Sequence, residues 1–139
     1  MQFLNSKITK FSLLLASVAL LSACVNPVKL QQNALIGVWQ IVDIDGRQIG
    51  NVAATMQFSE QGIMTGNNGC NAINASYQPF KDHLNLSPIA STRKACTASH
   101  SADEQAFNDA ILHVEHFLVK DNLLLLTDEQ DQTVISLRK

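Results

Sequence analysis

The sequence predicts an α+β domain in which a small, strongly curved antiparallel β-sheet or partial barrel packs with one α-helix. Short alternating or β-branched segments separated by turn residues recur along most of the chain. One later segment carries apolar residues at helical spacing, and that stripe is suited to covering an open side of the sheet. The N-terminal segment has the composition of a targeting signal and does not belong to the fold.

Five predicted strands precede the helix and three follow it. The first, residues 39–44, is β-branched and ends at Asp45-Gly46, a hairpin signal. The second, residues 55–59, alternates so that Met56 and Phe58 share one face. The remaining predicted strands are residues 63–65, 76–80, 83–87, 117–119, 123–126 and 134–137.

The predicted helix begins at a capping box. Ser101 would cap the helix with its hydroxyl, and Glu104 would reach back to the cap N–H. Apolar residues then repeat at three- and four-residue spacing and form one buried stripe. The stripe consists of Phe107, Ala110, Ile111 and Val114.

Residues 1–23 are predicted to be a lipoprotein signal peptide. Lys7 and Lys10 precede an apolar run of 11 residues, which is too short to span a bilayer and ends in Leu-Ser-Ala-Cys. This ending resembles the bacterial lipobox, in which the cysteine, here Cys24, is acylated and begins the mature protein. An ordinary secretory signal with a chance cysteine, or an uncleaved anchor, is the alternative.

The lipobox implies membrane attachment through N-terminal acyl chains. Val25 stands where aspartate commonly signals inner-membrane retention, so an outer-membrane lipoprotein facing the periplasm is expected. Residues 24–34 are polar and contain a proline, which predicts a flexible tether, and residues 35–139 form one domain. Without Lys7 and Lys10 the chain has eight basic and twelve acidic residues. This acidic balance argues against a nucleic-acid partner.

The chain resembles the META domain family, the HslJ-like lipoproteins of bacteria. The resemblance covers residues 35–137, and its centre is Gly69-Cys70-Asn71 followed by Thr92-Arg93-Lys94-Ala95-Cys96. Further matches are Ile36-Gly37-Val38-Trp39, Gly66, Tyr77, Ile89-Ala90-Ser91, Glu104 and Phe107. One departure is Ala75, where the family usually carries glycine.

The resemblance implies a lipocalin-like or pilotin-like sheet with one helix. It also implies a loose association with heat shock, antibiotic tolerance and, in distant members, secretion or virulence. It supplies no enzymatic reaction and no catalytic residues, and we expect no cofactor.

Three chemistries are open to Cys70 and Cys96, which remain once Cys24 is assigned to lipid. An even pair in an oxidising compartment favours a disulfide. A nucleophilic thiol would need a base within reach, with Arg93 or Lys94 assisting. A metal site would need four ligands, and Cys-x-x-Cys spacing is absent from the sequence, so no metal is expected.

Two other patterns are weaker. His113 and His116 are three residues apart and could share a face as metal ligands, but surface histidines near a helix C-terminus explain them as well. Ser91 and Lys94 fit a Ser-x-x-Lys nucleophile pattern without its partner motifs, so we treat the match as chance.

The leading function hypothesis is a non-enzymatic envelope lipoprotein that binds an apolar ligand or another envelope protein. If the barrel is open, Trp39, Met56 and Phe58 would line its interior; otherwise these side chains fill a closed core. The alternative is a small periplasmic thiol-dependent enzyme or redox protein that uses Cys70 or Cys96.

Overall fold

The computed structural model describes residues 26–51 and 53–139. The predicted signal peptide and the lipidation site Cys24 lie outside these residues. In chain order the elements are α1 (Pro27–Leu35), β1 (Gly37–Ile44), β2 (Arg47–Gln48), β3 (Thr55–Phe58), β4 (Ile63–Asn67), β5 (Ala72–Phe80), β6 (His83–Leu86), β7 (Ala90–Ser91), α2 (Ala98–Ile111), β8 (His116–Lys120), β9 (Leu123–Thr127) and β10 (Thr133–Arg138).

Eight of these strands form an antiparallel barrel. Its order is β1, β3, β4, β5, β6, β8, β9 and β10, and β10 pairs with β1 to close the ring. The short strands β2 and β7 pair with β1 and β5. The predicted α+β class with a strongly curved antiparallel sheet is therefore confirmed, and closure resolves the choice between a sheet and a barrel.

The barrel interior is filled by the inward-facing residues of alternating strands. In β5, Ile73, Ala75 and Tyr77 are buried while their neighbours are exposed, as the period of two in a strand requires. Leu124 and Leu126 of β9 are fully buried in the same way. The structure begins β5 at Ala72, four residues before the predicted strand 76–80, and places β9 over the predicted residues 123–126.

Tyr77 adds a polar tether to this core. Its ring meets Phe58 edge to face with centroids 5.0 Å apart, and its hydroxyl donates to the Ser59 carbonyl at 2.5 Å. Burial raises the pKa of the Tyr77 hydroxyl above its ordinary value of 10.0. The tyrosine therefore stays a neutral donor well into the alkaline range.

The predicted capping box is wrong. The helix begins earlier, at Ala98 after the N-cap residue Thr97, and no side chain caps it. Ser101 lies inside the helix, where its backbone N–H bonds to the Thr97 carbonyl at 2.9 Å. Glu104 turns away to contact the loop after β4. The predicted apolar stripe is confirmed for Phe107, Ala110 and Ile111, and Val114 is buried three residues beyond the end of the helix.

The predicted tether is wrong over residues 27–34, which form most of α1. Gln31 docks this helix on the edge of β8, where its side-chain amide both donates to the Val119 carbonyl and accepts from the Val119 N–H, each at 3.0 Å. Leu35 at the helix end is fully buried, and its carbonyl accepts from Trp39 Nε1 at 2.7 Å. Tertiary contacts thus hold a polar segment in a helix. Within the described ranges, no helix is both long and apolar enough to cross a membrane.

Candidate functional site

A disulfide joins Cys70 and Cys96, as the sequence predicts. Cys70 lies in the loop between β4 and β5, and Cys96 lies just before α2. Their Cα atoms are 6.0 Å apart, an ordinary spacing for a disulfide. The bond fixes the β4–β5 loop to the segment that leads into α2.

Asn68, next to this disulfide, is buried and uses both ends of its side-chain amide. Its Oδ1 accepts from the backbone N–H groups of Asn71 and Cys70, at 2.8 and 3.3 Å. Its Nδ2 donates to Asn108 Oδ1 at 3.2 Å and to Glu104 Oε1 at 3.4 Å. Asn68 therefore shapes the loop and also binds it to α2.

Asn71 is also buried and links three segments of the chain. Its Nδ2 donates to Glu104 Oε1 at 2.8 Å. Its Oδ1 accepts from Thr92 Oγ1 at 2.9 Å and from the Lys94 N–H at 2.7 Å. A buried amide with its hydrogen bonds made stabilises a unique arrangement, whereas an unsatisfied one costs free energy. We therefore assign Asn68 and Asn71 a structural role.

Gly69 allows the loop to approach the helix. Its φ is +104°, and a Cβ there would meet Asp103 Cβ at 2.9 Å, so a side chain would be both strained and crowded. Asn51 Nδ2 donates to the Gly69 carbonyl at 2.6 Å, and Arg47 pairs with Asp103 at 2.6 Å. Because the Arg47 side chain is 48% exposed, this ion pair contributes little to stability.

The surroundings of the disulfide do not resemble a thiol active site. Cys96 Sγ lies 3.7 Å from Glu104 Oε2, and a carboxylate at that position opposes a thiolate. Arg93 and Lys94 are exposed, and the Lys94 contact to Asn71 is made by its backbone. Ligand atoms of Cys70, Cys96 and Glu104 lie within 4.8 Å of one another, but both sulfurs are committed to the disulfide. The cluster holds the loop on α2.

The Ser91 and His113 patterns also take ordinary structural positions. Ser91 Oγ donates to the neighbouring Thr92 carbonyl at 3.0 Å. His113 is exposed just after α2. His116 instead packs against His83 with the two rings tilted by 47° and their centroids 4.3 Å apart, where β8 meets β6. The structure therefore pairs His116 with a histidine that sequence spacing did not indicate.

Trp39, Met56 and Phe58 meet inside the barrel. Their exposed fractions are 0%, 0% and 1%, and none of them lines the main surface grooves of the described residues. They pack with the rest of the core around the ring of strands. A ligand site among these three residues stays a prediction.

A groove with a volume of about 730 Å³ lies between β6–β7 and the C-terminal half of α2. Asn108 forms part of its wall, so the asparagine network and the groove share a residue. Leu112 at its rim is 79% exposed. Its apolar lining consists of Leu84, Leu86, Ile89, Ile111, Leu112 and Val114.

The groove lies beside the shortest strand pairing of the barrel, the one between β6 and β8. The ladder between β6 and β8 has one register pair, His83–His116, and the Leu84 N–H then donates to the Glu115 carbonyl at 2.9 Å. The Leu86 N–H points to the same side of β6 as the Leu84 N–H, away from β5. Its register partner in β5, Tyr77, does not bond to it, because the Tyr77 N–H donates to the Gly62 carbonyl on the other side of β5. The described residues place no strand opposite Leu86, so β6 presents a short free edge to the groove.

Comparison with known proteins gives the family and the fold. The META domain model matches residues 30–139. No curated protein matches the chain. A solved structure of a protein from Burkholderia xenovorans is similar, with 21% identity, a TM-score of 0.62 and coverage of 84% of this chain and 93% of that one. A DUF4847 family protein from Bacteroides vulgatus has 17% identity, a TM-score of 0.55 and coverage of 77% and 94%. At these identities the structures share the fold alone.

Proposed function

Because this chain belongs to the META domain family, we propose that it is a non-enzymatic, lipid-anchored protein of the bacterial envelope that binds an extended peptide segment of a partner protein. The free edge of β6 beside an apolar groove carries this proposal. The commitment of Cys70 and Cys96 to a disulfide beside a carboxylate supports a binding role over thiol chemistry. A role in envelope stress or antibiotic tolerance would follow from the partner that is bound.

The anchor is supported by the order of residues 1–24, with basic residues, an apolar run and Leu-Ser-Ala-Cys. Val25 favours the outer membrane, with the domain in the periplasm. We expect labelled palmitate to be incorporated into the full chain and not into C24S. A C24S protein that is still labelled would contradict lipidation at this residue.

The groove combines two features of peptide-binding edges. An added segment would form main-chain hydrogen bonds at Leu86, because the Leu84 N–H is already bonded to Glu115, and its alternate side chains would enter the apolar lining provided by Leu86 and Ile111. The β6 edge is short, so the binding segment would need only a few residues. Glu115 at the groove places an acidic group beside it and favours a segment with a basic residue.

We expect a photoreactive amino acid at Leu112 to capture one protein from intact envelopes through a single extended segment. The measurement is mass spectrometry of the crosslinked peptides. Val38 is the matched control, because it is an exposed apolar residue, 55% accessible, that lies outside the groove. Adducts shared by both positions, or lipid adducts at Leu112, would contradict the peptide assignment.

A further inference from the structure

The connections of the barrel divide its charges between two ends. Strands of alternating direction place α1, the β3–β4, β5–β6 and β8–β9 turns, and the chain after β10 at one end, here called the α1 end. Among residues 26–139, basic residues exceed acidic ones at this end and not at the other. Its basic residues are Lys29, Lys81, Lys120, Arg138 and Lys139, and its acidic residues are Glu60, Asp82 and Asp121.

The opposite end, which carries α2 and the disulfide, is strongly acidic. Its basic residues are Arg47, Arg93 and Lys94. Its acidic residues are Asp43, Asp45, Asp103, Glu104, Asp109, Glu115, Asp128, Glu129 and Asp131. An anionic surface would therefore attract the α1 end and repel the α2 end.

The α1 end also exposes large apolar side chains. Leu30 is 55% exposed, Phe80 62% and Leu118 48%. Leu118 lines a groove of about 320 Å³ between α1 and β8, to which Lys81 and Asp82 also contribute. The Lys81 ammonium lies 5.6 Å from the centroid of the Phe80 ring. Apolar side chains flanked by lysines are typical of a surface that sits in a lipid interface.

Chain length places this end near any lipid carried by Cys24. Cys24 precedes Pro27, the first residue of α1, by three residues. Three residues reach at most about 11 Å when fully extended. An acylated Cys24 therefore holds the start of α1 beside the headgroup layer, and Gln31 fixes α1 to the barrel wall.

We infer that the α1 end is a membrane-docking face, in which Leu30, Phe80 and Leu118 enter the interface of a bilayer containing anionic phospholipid. Lys29, Lys81 and Lys120 bind the lipid phosphates. The inference rests on the proposed lipidation of Cys24 and adds to it a fixed orientation. The domain stands on the bilayer with its α2 end, its disulfide and its peptide groove directed away.

Tryptophan fluorescence tests this orientation in the full-length chain. The chain is produced in a Gram-negative host, extracted from its membranes and reconstituted into phosphatidylethanolamine–phosphatidylglycerol vesicles with brominated acyl chains. The variant Phe80→Trp reports on the docking face, and Leu112→Trp is the matched control on the opposite end. Both positions are exposed, and the one native tryptophan, Trp39, is fully buried and supplies the common background.

We expect Phe80→Trp to lose more than about half of its added emission in brominated vesicles, because interfacial side chains enter the boundary of the acyl region. Leu112→Trp should keep its emission. Equal quenching at both positions, or stronger quenching at Leu112, overturns the orientation while leaving the anchor intact. A protein that is not recovered with the membranes overturns the anchor, and with it this inference.

Discussion

The free energy of unfolding of the double variant C70S/C96S is expected to be about 3.5 kcal/mol lower than that of the oxidised wild-type protein. The two cysteines are 26 residues apart, so their bond removes the closure entropy of a long loop from the unfolded chain. This loss is large beside the stability of about 5–15 kcal/mol that is typical of a whole domain. Urea unfolding with and without reductant measures it.

The reductant supplies an internal control for this experiment. Reduction should destabilise the wild-type protein by a similar amount and leave C70S/C96S unchanged, because the variant has no Cys70–Cys96 bond to break. Alkylation before unfolding establishes which thiols are free. Wild-type protein whose thiols are fully alkylated without reductant would show that the disulfide does not form.

Alternation along the strands was enough to predict most of the barrel. A strand buried on one face must repeat with a period of two, and β3 carries that repeat plainly, with Met56 and Phe58 buried on either side of the exposed Gln57. The four leucines of β9 carry no such repeat in the sequence, although only Leu124 and Leu126 are fully buried. The first helix was missed because its mostly polar sequence shows no apolar stripe, and the contact of Gln31 with Val119 that docks it is formed only in the folded chain. One local signal was available, since Pro27 stands at the first helical position, where proline is favoured.

The candidate site was only partly accessible from sequence. The Cys70–Cys96 pairing was predicted because these two cysteines remain once Cys24 is assigned to lipid, in a compartment expected to be oxidising. The roles of Asn68 and Asn71 do not, because asparagines in a turn-rich segment normally indicate an exposed loop. Both asparagines donate hydrogen bonds from their side-chain amides to Glu104 Oε1. The sequence position of Glu104 instead suggested a helix cap. Only the folded chain brings these residues together.

Gly66 shows the same dependence on the folded chain. It lies in β4 between Met56 of β3 and Ile73 of β5. A Cβ at this position would overlap the carbonyl oxygen of Thr55 and lie 3.1 Å from Met56 Cα. These are backbone atoms of a paired strand, so no side-chain rotation can relieve the contact. The glycine therefore permits the close approach of β3 and β4.

Gly66→Ala is accordingly expected to lower the free energy of unfolding by about 3 kcal/mol or more, at the upper end of the range for overpacking, because β3 and β4 must separate to admit the methyl group. Gly50→Ala is the matched control, since no atom lies within 4 Å of a Cβ there and its φ lies outside the left-handed region. That control should be neutral or stabilising by about 0.5 kcal/mol. Urea unfolding of the two oxidised variants compares them directly, and equal midpoints would show that the β3–β4 ladder tolerates a side chain at residue 66.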